Sequence, residues 1–108
     1  MTESFGRWLL VSFDLPSRSK AQRQVAKVFV NWLMSEGFHR IHSTAFARFL
    51  PDRWSASREE ARIRGHLPSD GRIVAFEVTE KAYSRSMLYV DGMPVTPAKH
   101  PELLALYF

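Results

Sequence analysis

The chain contains no cysteine. Disulfides, thiolate nucleophiles and cysteine-ligated zinc are thereby excluded, and a reducing cytoplasm is the expected compartment. No apolar run approaches the ~20 residues of a membrane-spanning helix. The opening MTESFGR lacks the basic-then-apolar order of a secretion signal. Neither export nor membrane insertion is expected. Glycine is scarce, five residues in 108, and none falls in a phosphate-cradling loop pattern. The four histidines, His39, His42, His66 and His100, lack metal-ligand spacing, which leaves zinc without a site. His42 reads as a strand histidine satisfied by a neighbour, with a general base or phosphate contact as the alternative. No order of Ser, His and Asp suggests a hydrolase triad.

What is present describes one small globular domain spanning residues 1–108. The hydrophobic fraction of 45% and charged fraction of 24% exclude a disordered chain. Surface scaling for this size gives ~6,200 Å² folded against ~18,000 Å² extended, a modest core. The net charge is +4, and it is unevenly placed: residues 1–65 carry +5 and residues 66–108 carry −1. Most of the basic excess is arginine, whose planar fork suits phosphate oxygens. A polyanionic partner is permitted, with a solvated basic face as the ordinary alternative.

Residues 7–14, RWLLVSFD, have strand length and are largely apolar on both alternating faces, the mark of a central strand covered on two sides. Pro16 ends it, and Ser19 with Gln22 has capping-box spacing for a helix running to about Glu36 and stopped by Gly37. Ala21, Val25, Val28, Phe29 and Trp32 form its predicted apolar stripe. Phe38 to Phe49 alternates and reads as a strand in which Ser43, Ala45 and Ala47 leave room for the helix to pack. A short charged helix follows from Ser55 or Ser57 to Arg64, with Ala56, Ile63 and Trp54 as its apolar anchors. Arg72–Thr79 is a further strand, Thr79 caps a helical turn, and Ser86–Val90 is a last short strand ending at Asp91-Gly92. The proline-rich tail from 92 is unsuited to a ladder interior, while the apolar Leu103–Phe108 is expected to add a strand to something. The order is that of a ferredoxin-like α+β fold, βαββαβ with a short extra C-terminal strand. Strands apolar on both sides predict a two-fold dimer packed sheet against sheet.

Asp14 stands at the end of the first strand, before a turn and a basic helix. A carboxylate there serves either as a turn residue or as a Mg²⁺ ligand, since magnesium often takes one or two carboxylates and completes its shell with water and phosphate. A two-fold axis near this strand end would bring both copies of Asp14 together. Lys20, Arg23 and Lys27 on the helix, with Arg40, Arg48 and Arg53, are the candidate phosphate contacts. The aromatic residues sit at core spacing and lack the exposed stacking pattern of single-strand binders.

The order and spacing of several pieces resemble the small CRISPR-associated adaptation protein Cas2, in the form that accompanies type II systems. WLLVSFDLP is similar to the family's opening strand with its Asp-Leu-Pro ending, and a basic helix followed by Gly37-Phe38 is similar to its helix-to-strand junction. HSTAF with Arg48 stands where the family has Gln-x-Ser-Val-Tyr/Phe, and LPSDGRIVAFEVTEK resembles its turn and third strand. The departures are His42, Thr44 and Ala45 in the second strand, Ala82 where Gln is frequent, and an extension over residues 1–6. The resemblance implies a ferredoxin-like homodimer that bridges dimers of the Cas1 integrase and holds duplex DNA for insertion as a new spacer. It also implies a metal-dependent endonuclease acting on RNA or DNA, with Asp14 as the catalytic Mg²⁺ ligand. Arg18, Lys20, Arg23, Lys27, Arg40 and Arg48 are the expected nucleic-acid contacts, and a dimer would carry +8.

Overall fold

A computed structural model describes residues 6–95. The expected strand at Leu103–Phe108 lies outside them. Strand β1 (Arg7–Asp14) is followed by helix α1 (Lys20–Ser35), strands β2 (His39–His42) and β3 (Ala45–Leu50), helix α2 (Arg53–Arg64), strand β4 (Arg72–Thr79), helix α3 (Glu80–Ser84), and a hairpin of β5 (Leu88–Val90) and β6 (Met93–Val95). The main sheet has the order β2-β3-β1-β4, with every neighbouring pair antiparallel. This is the ferredoxin-like arrangement expected from the sequence.

Strand β1 is central and covered on two sides, as its composition implies. Its odd residues Leu9 and Val11 join Phe29 and Leu33 of α1, Phe46 and Leu50 of β3, and Ala56 and Ile63 of α2 in the main core. On the opposite face Trp8 packs with Ala47 and Tyr83 in a second, smaller core. The indole stacks on the Tyr83 ring at 4.3 Å and meets Phe49 edge-on at 5.2 Å.

Several local expectations are corrected. The stretch Phe38–Phe49 is a hairpin that reverses at Ser43-Thr44, where the Phe13 N–H donates to the Thr44 carbonyl at 3.0 Å. His42 faces Ala45 at the turn, and a register shift between Arg40 and His42 then sets Arg40 opposite Phe46 and His39 opposite Ala47, so beyond the turn even-numbered residues again share a face and the period of two gives little sign of the reversal. The space above Ala47 is filled by Trp8 and Tyr83, on the side away from α1. In α1 the capping box of Ser19 and Gln22 forms as expected, but the buried residues are Phe29 and Leu33, while Val25 and Val28 face outward. Asp52 caps α2, accepting from the Ser55 N–H at 2.7 Å, so this helix starts earlier than a serine cap would place it. Met93–Val95 does enter a ladder despite Pro94, because a two-stranded hairpin has outer edges that need no donor.

Candidate functional site at the end of β1

Asp14 is exposed and ends the central strand in register with Arg72. By alternation it lies on the sheet face of Trp8, Leu10 and Ser12, opposite α1 and α2. The turn beneath it depends on Gly71. At φ +90° this residue adopts a left-handed backbone, and a Cβ there would stand 2.7 Å from both the Asp14 carbonyl oxygen and the Leu15 side chain. The sequence showed turn chemistry at this place, but only the close approach reveals that Gly71 sets the position of the Asp14 backbone.

Asp14 makes no ion pair among the described residues. No group of three or more His, Cys, Asp or Glu side chains able to hold a metal occurs among them either. An open, single carboxylate fits Mg²⁺ only as one protein ligand among waters and phosphate, or as half of a pair contributed by two copies.

The expected nucleic-acid contacts fall into three groups. Arg18, Lys20 and Lys27 are exposed and form no ion pair among the described residues. Arg23 and Arg40 brace loops. Arg23 donates to the carbonyls of Ser17 and Arg18, both at 3.1 Å, and Arg40 donates to the Ser43 carbonyl at 3.2 Å while lying 5.1 Å from the Phe46 ring centroid. Arg48 points inward, 2.9 Å from Glu59, so its charge is engaged by a buried carboxylate.

That carboxylate belongs to a cluster the sequence did not expose. Arg62 donates twice to Glu36, at 2.7 and 2.9 Å, which holds the Glu36 carboxyl at a pKa of about 2. Glu59, 5% exposed, is pushed the other way, first by burial and then by the neighbouring Glu36 carboxyl. The cluster ties the end of α1 to β3 and α2. The two acids act oppositely on stability. The lowered pKa of Glu36 stabilises the fold above its ordinary value of 4.5, and this is lost as pH falls toward 2. The Glu59 contribution is complete below 4.5 and is lost as pH rises through its raised folded value. Glu59→Gln removes that second dependence. In thermal melts over a pH series, the variant is expected to gain on the wild type as pH rises from 4.5; a constant difference would show that Glu59 is not held above its ordinary value.

No family profile matches the chain. Among the proteins it is similar to are three called CRISPR-associated endoribonuclease Cas2. That of Flavobacterium psychrophilum is 32% identical over 93% of this chain and 87% of its own length. That of Acidovorax ebreus is 35% identical over 84% and 88%, and that of Paracidovorax avenae 31% identical over 93% of each. At 31–35% identity over 84–93% of its length, the chain belongs to the CRISPR-associated Cas2 family.

Proposed function

We propose that this protein works in CRISPR adaptation as a two-fold homodimer that bridges dimers of the Cas1 integrase and holds duplex DNA destined to become a new spacer. The observation that carries the reading is the trio Arg18, Lys20 and Lys27, uncommitted cations on the helix and loop that follow the Asp14 strand end. The dimer is supported by the sheet face opposite α1 and α2. There α3 and β5 cover the Trp8 end, while Val74 and Phe76 of β4 and Phe49 of β3 remain 41–52% exposed, an apolar surface that a second sheet would cover.

Because Arg23 and Arg40 already brace loops, the test removes the uncommitted trio. The variant Arg18→Ala/Lys20→Ala/Lys27→Ala is expected to bind duplex DNA more weakly. The slope of log affinity against log salt should fall by about 2.7, at ~0.9 for each phosphate that is no longer neutralised. An unchanged slope across a salt titration would remove these residues from the interface.

A second reading has its own observation. The relatives are named endoribonucleases, and Asp14 is an open carboxylate on the face where two sheets would meet. In that arrangement the Asp14 carboxylates of two copies would hold a Mg²⁺, and the metal when bound would supply water activation and charge neutralisation at a scissile phosphate of RNA or DNA. The chain supplies no second acid beside Asp14 for an independent metal site among the described residues, so a monomer is expected to be inactive. The cytoplasm is the proposed place of action for both readings. No helix among the described residues is long and apolar enough to cross a membrane.

A further inference from the structure

Helix α2 sorts its arginines. Arg62 is bound to Glu36 and Arg64 lies 3.2 Å from Glu60, whereas Arg53 and Arg58 make no ion pair among the described residues. Between these two stands Trp54, expected from the sequence to anchor the helix and instead 67% exposed. The reason is angular. Ala56, Glu59 and Ile63 set the buried side of α2, and at 100° per residue Trp54 is turned about 160° away from Ala56. It cannot swing into the core without unwinding the first turn. Its neighbours on the outer face, Ser57 and Ala61, are exposed and small, and leave the indole clear. The Arg58 guanidinium lies over one face of the ring, its carbon 4.8 Å from the centroid, which orients the indole, brings positive charge against it and leaves the opposite face for a ligand.

We infer that Trp54, flanked by Arg53 and Arg58, is a stacking platform for an unpaired base of single-stranded nucleic acid. One open aromatic face, with Arg58 over the other face and the unpaired Arg53 next to it in the helix, supplies both halves of sequence-tolerant single-strand binding, a surface for the base and charge for the adjoining phosphates. Duplex DNA offers no free base face except at its ends, so this platform is specific to unpaired nucleotides. Its place in the fold sets it apart from the Asp14 end. Helix α2 follows Leu50, which pairs with Arg7 at the far end of β1, seven residues or about 23 Å from Asp14. The inference rests on the nucleic-acid reading given above and extends it to a second, separate contact.

The test compares a ten-nucleotide oligo-dT with an abasic strand of equal length and a blunt duplex. The wild type is expected to bind oligo-dT about tenfold more tightly than the abasic strand, with quenched tryptophan emission, because Trp54 is the open indole while Trp8 is buried and Trp32 is half-buried and stacked on His66. Trp54→Ala should lower oligo-dT affinity to the abasic level and abolish the quenching. Blunt-duplex affinity and the melting temperature should be unaffected, and Trp54→Phe should retain part of the preference. Equal binding of oligo-dT and abasic strand by the wild type, or unchanged oligo-dT affinity in Trp54→Ala, would overturn the platform. If the duplex still binds in that case, only the Trp54 contact fails; if neither duplex nor single strand binds, the wider nucleic-acid reading fails with it.

Discussion

Asp14→Asn is expected to reduce Mg²⁺-dependent cleavage by at least about a hundredfold, the effect of losing several kcal/mol of metal-based stabilisation. The substitution keeps the shape of the side chain and removes only its charge. Asp14 is exposed and makes no ion pair among the described residues, so folding and duplex affinity should stay at the wild-type level. The same variant separates the two roles proposed for the protein. In a spacer-acquisition assay with the integrase, a bridge and holder of DNA tolerates Asp14→Asn, whereas a required nuclease does not. Equal cleavage by variant and wild type would place the activity at another site or in a contaminant.

Trp8→Ala is expected to destabilise the fold by about 3–5 kcal/mol, against a total of about 5–15 kcal/mol for a domain of this size. Trp8 is 1% exposed and fills the space between Ala47, Phe49 and Tyr83, so truncation opens the whole of the second core. Trp8→Phe should cost far less. The indole N–H has no hydrogen-bond partner among the described residues, and a smaller ring retains much of the packing against Tyr83. Urea unfolding reads both. Near-equal midpoints for Trp8→Ala and the wild type would mean that this face of the sheet is not packed by α3. Because Trp8, Phe49 and Phe76 share that face, the variant also tests the dimer: if the face joins two sheets, Trp8→Ala should lower the dimer affinity as well as the midpoint.

Some of the fold could be read directly from local pattern. The capping box at Ser19, the stop at Gly37 and the two-sided apolarity of β1 each depend on residues next to one another in sequence, and each forms as read. The hairpin at Ser43-Thr44 was hidden because the register shift between Arg40 and His42 offsets the exchange of faces that a two-residue turn makes, so the alternation resumes on both strands beyond it. The choice of buried stripe on α1 was hidden for a different reason. The helix carries more apolar residues than one face can hold, and periodicity alone does not say whether Val25 and Val28 or Leu33 turn inward.

The candidate site divides in the same way. By itself the sequence determined the ferredoxin-like order of elements, the absence of thiol chemistry, the basic character of residues 1–65 and the position of one carboxylate at a strand end. Tertiary structure alone decided which cations are open. Arg48 is drawn inward by Glu59, Arg62 is held by Glu36, Arg23 and Arg40 brace loops, Arg58 lies over Trp54, and Arg18, Lys20, Lys27 and Arg53 form no ion pair among the described residues. It also turned Trp54 from an expected anchor into an exposed plane. The physical reason is that an arginine's charge or a tryptophan's ring is fixed by residue type, but its availability depends on what packs beside it, and those neighbours are distant in sequence.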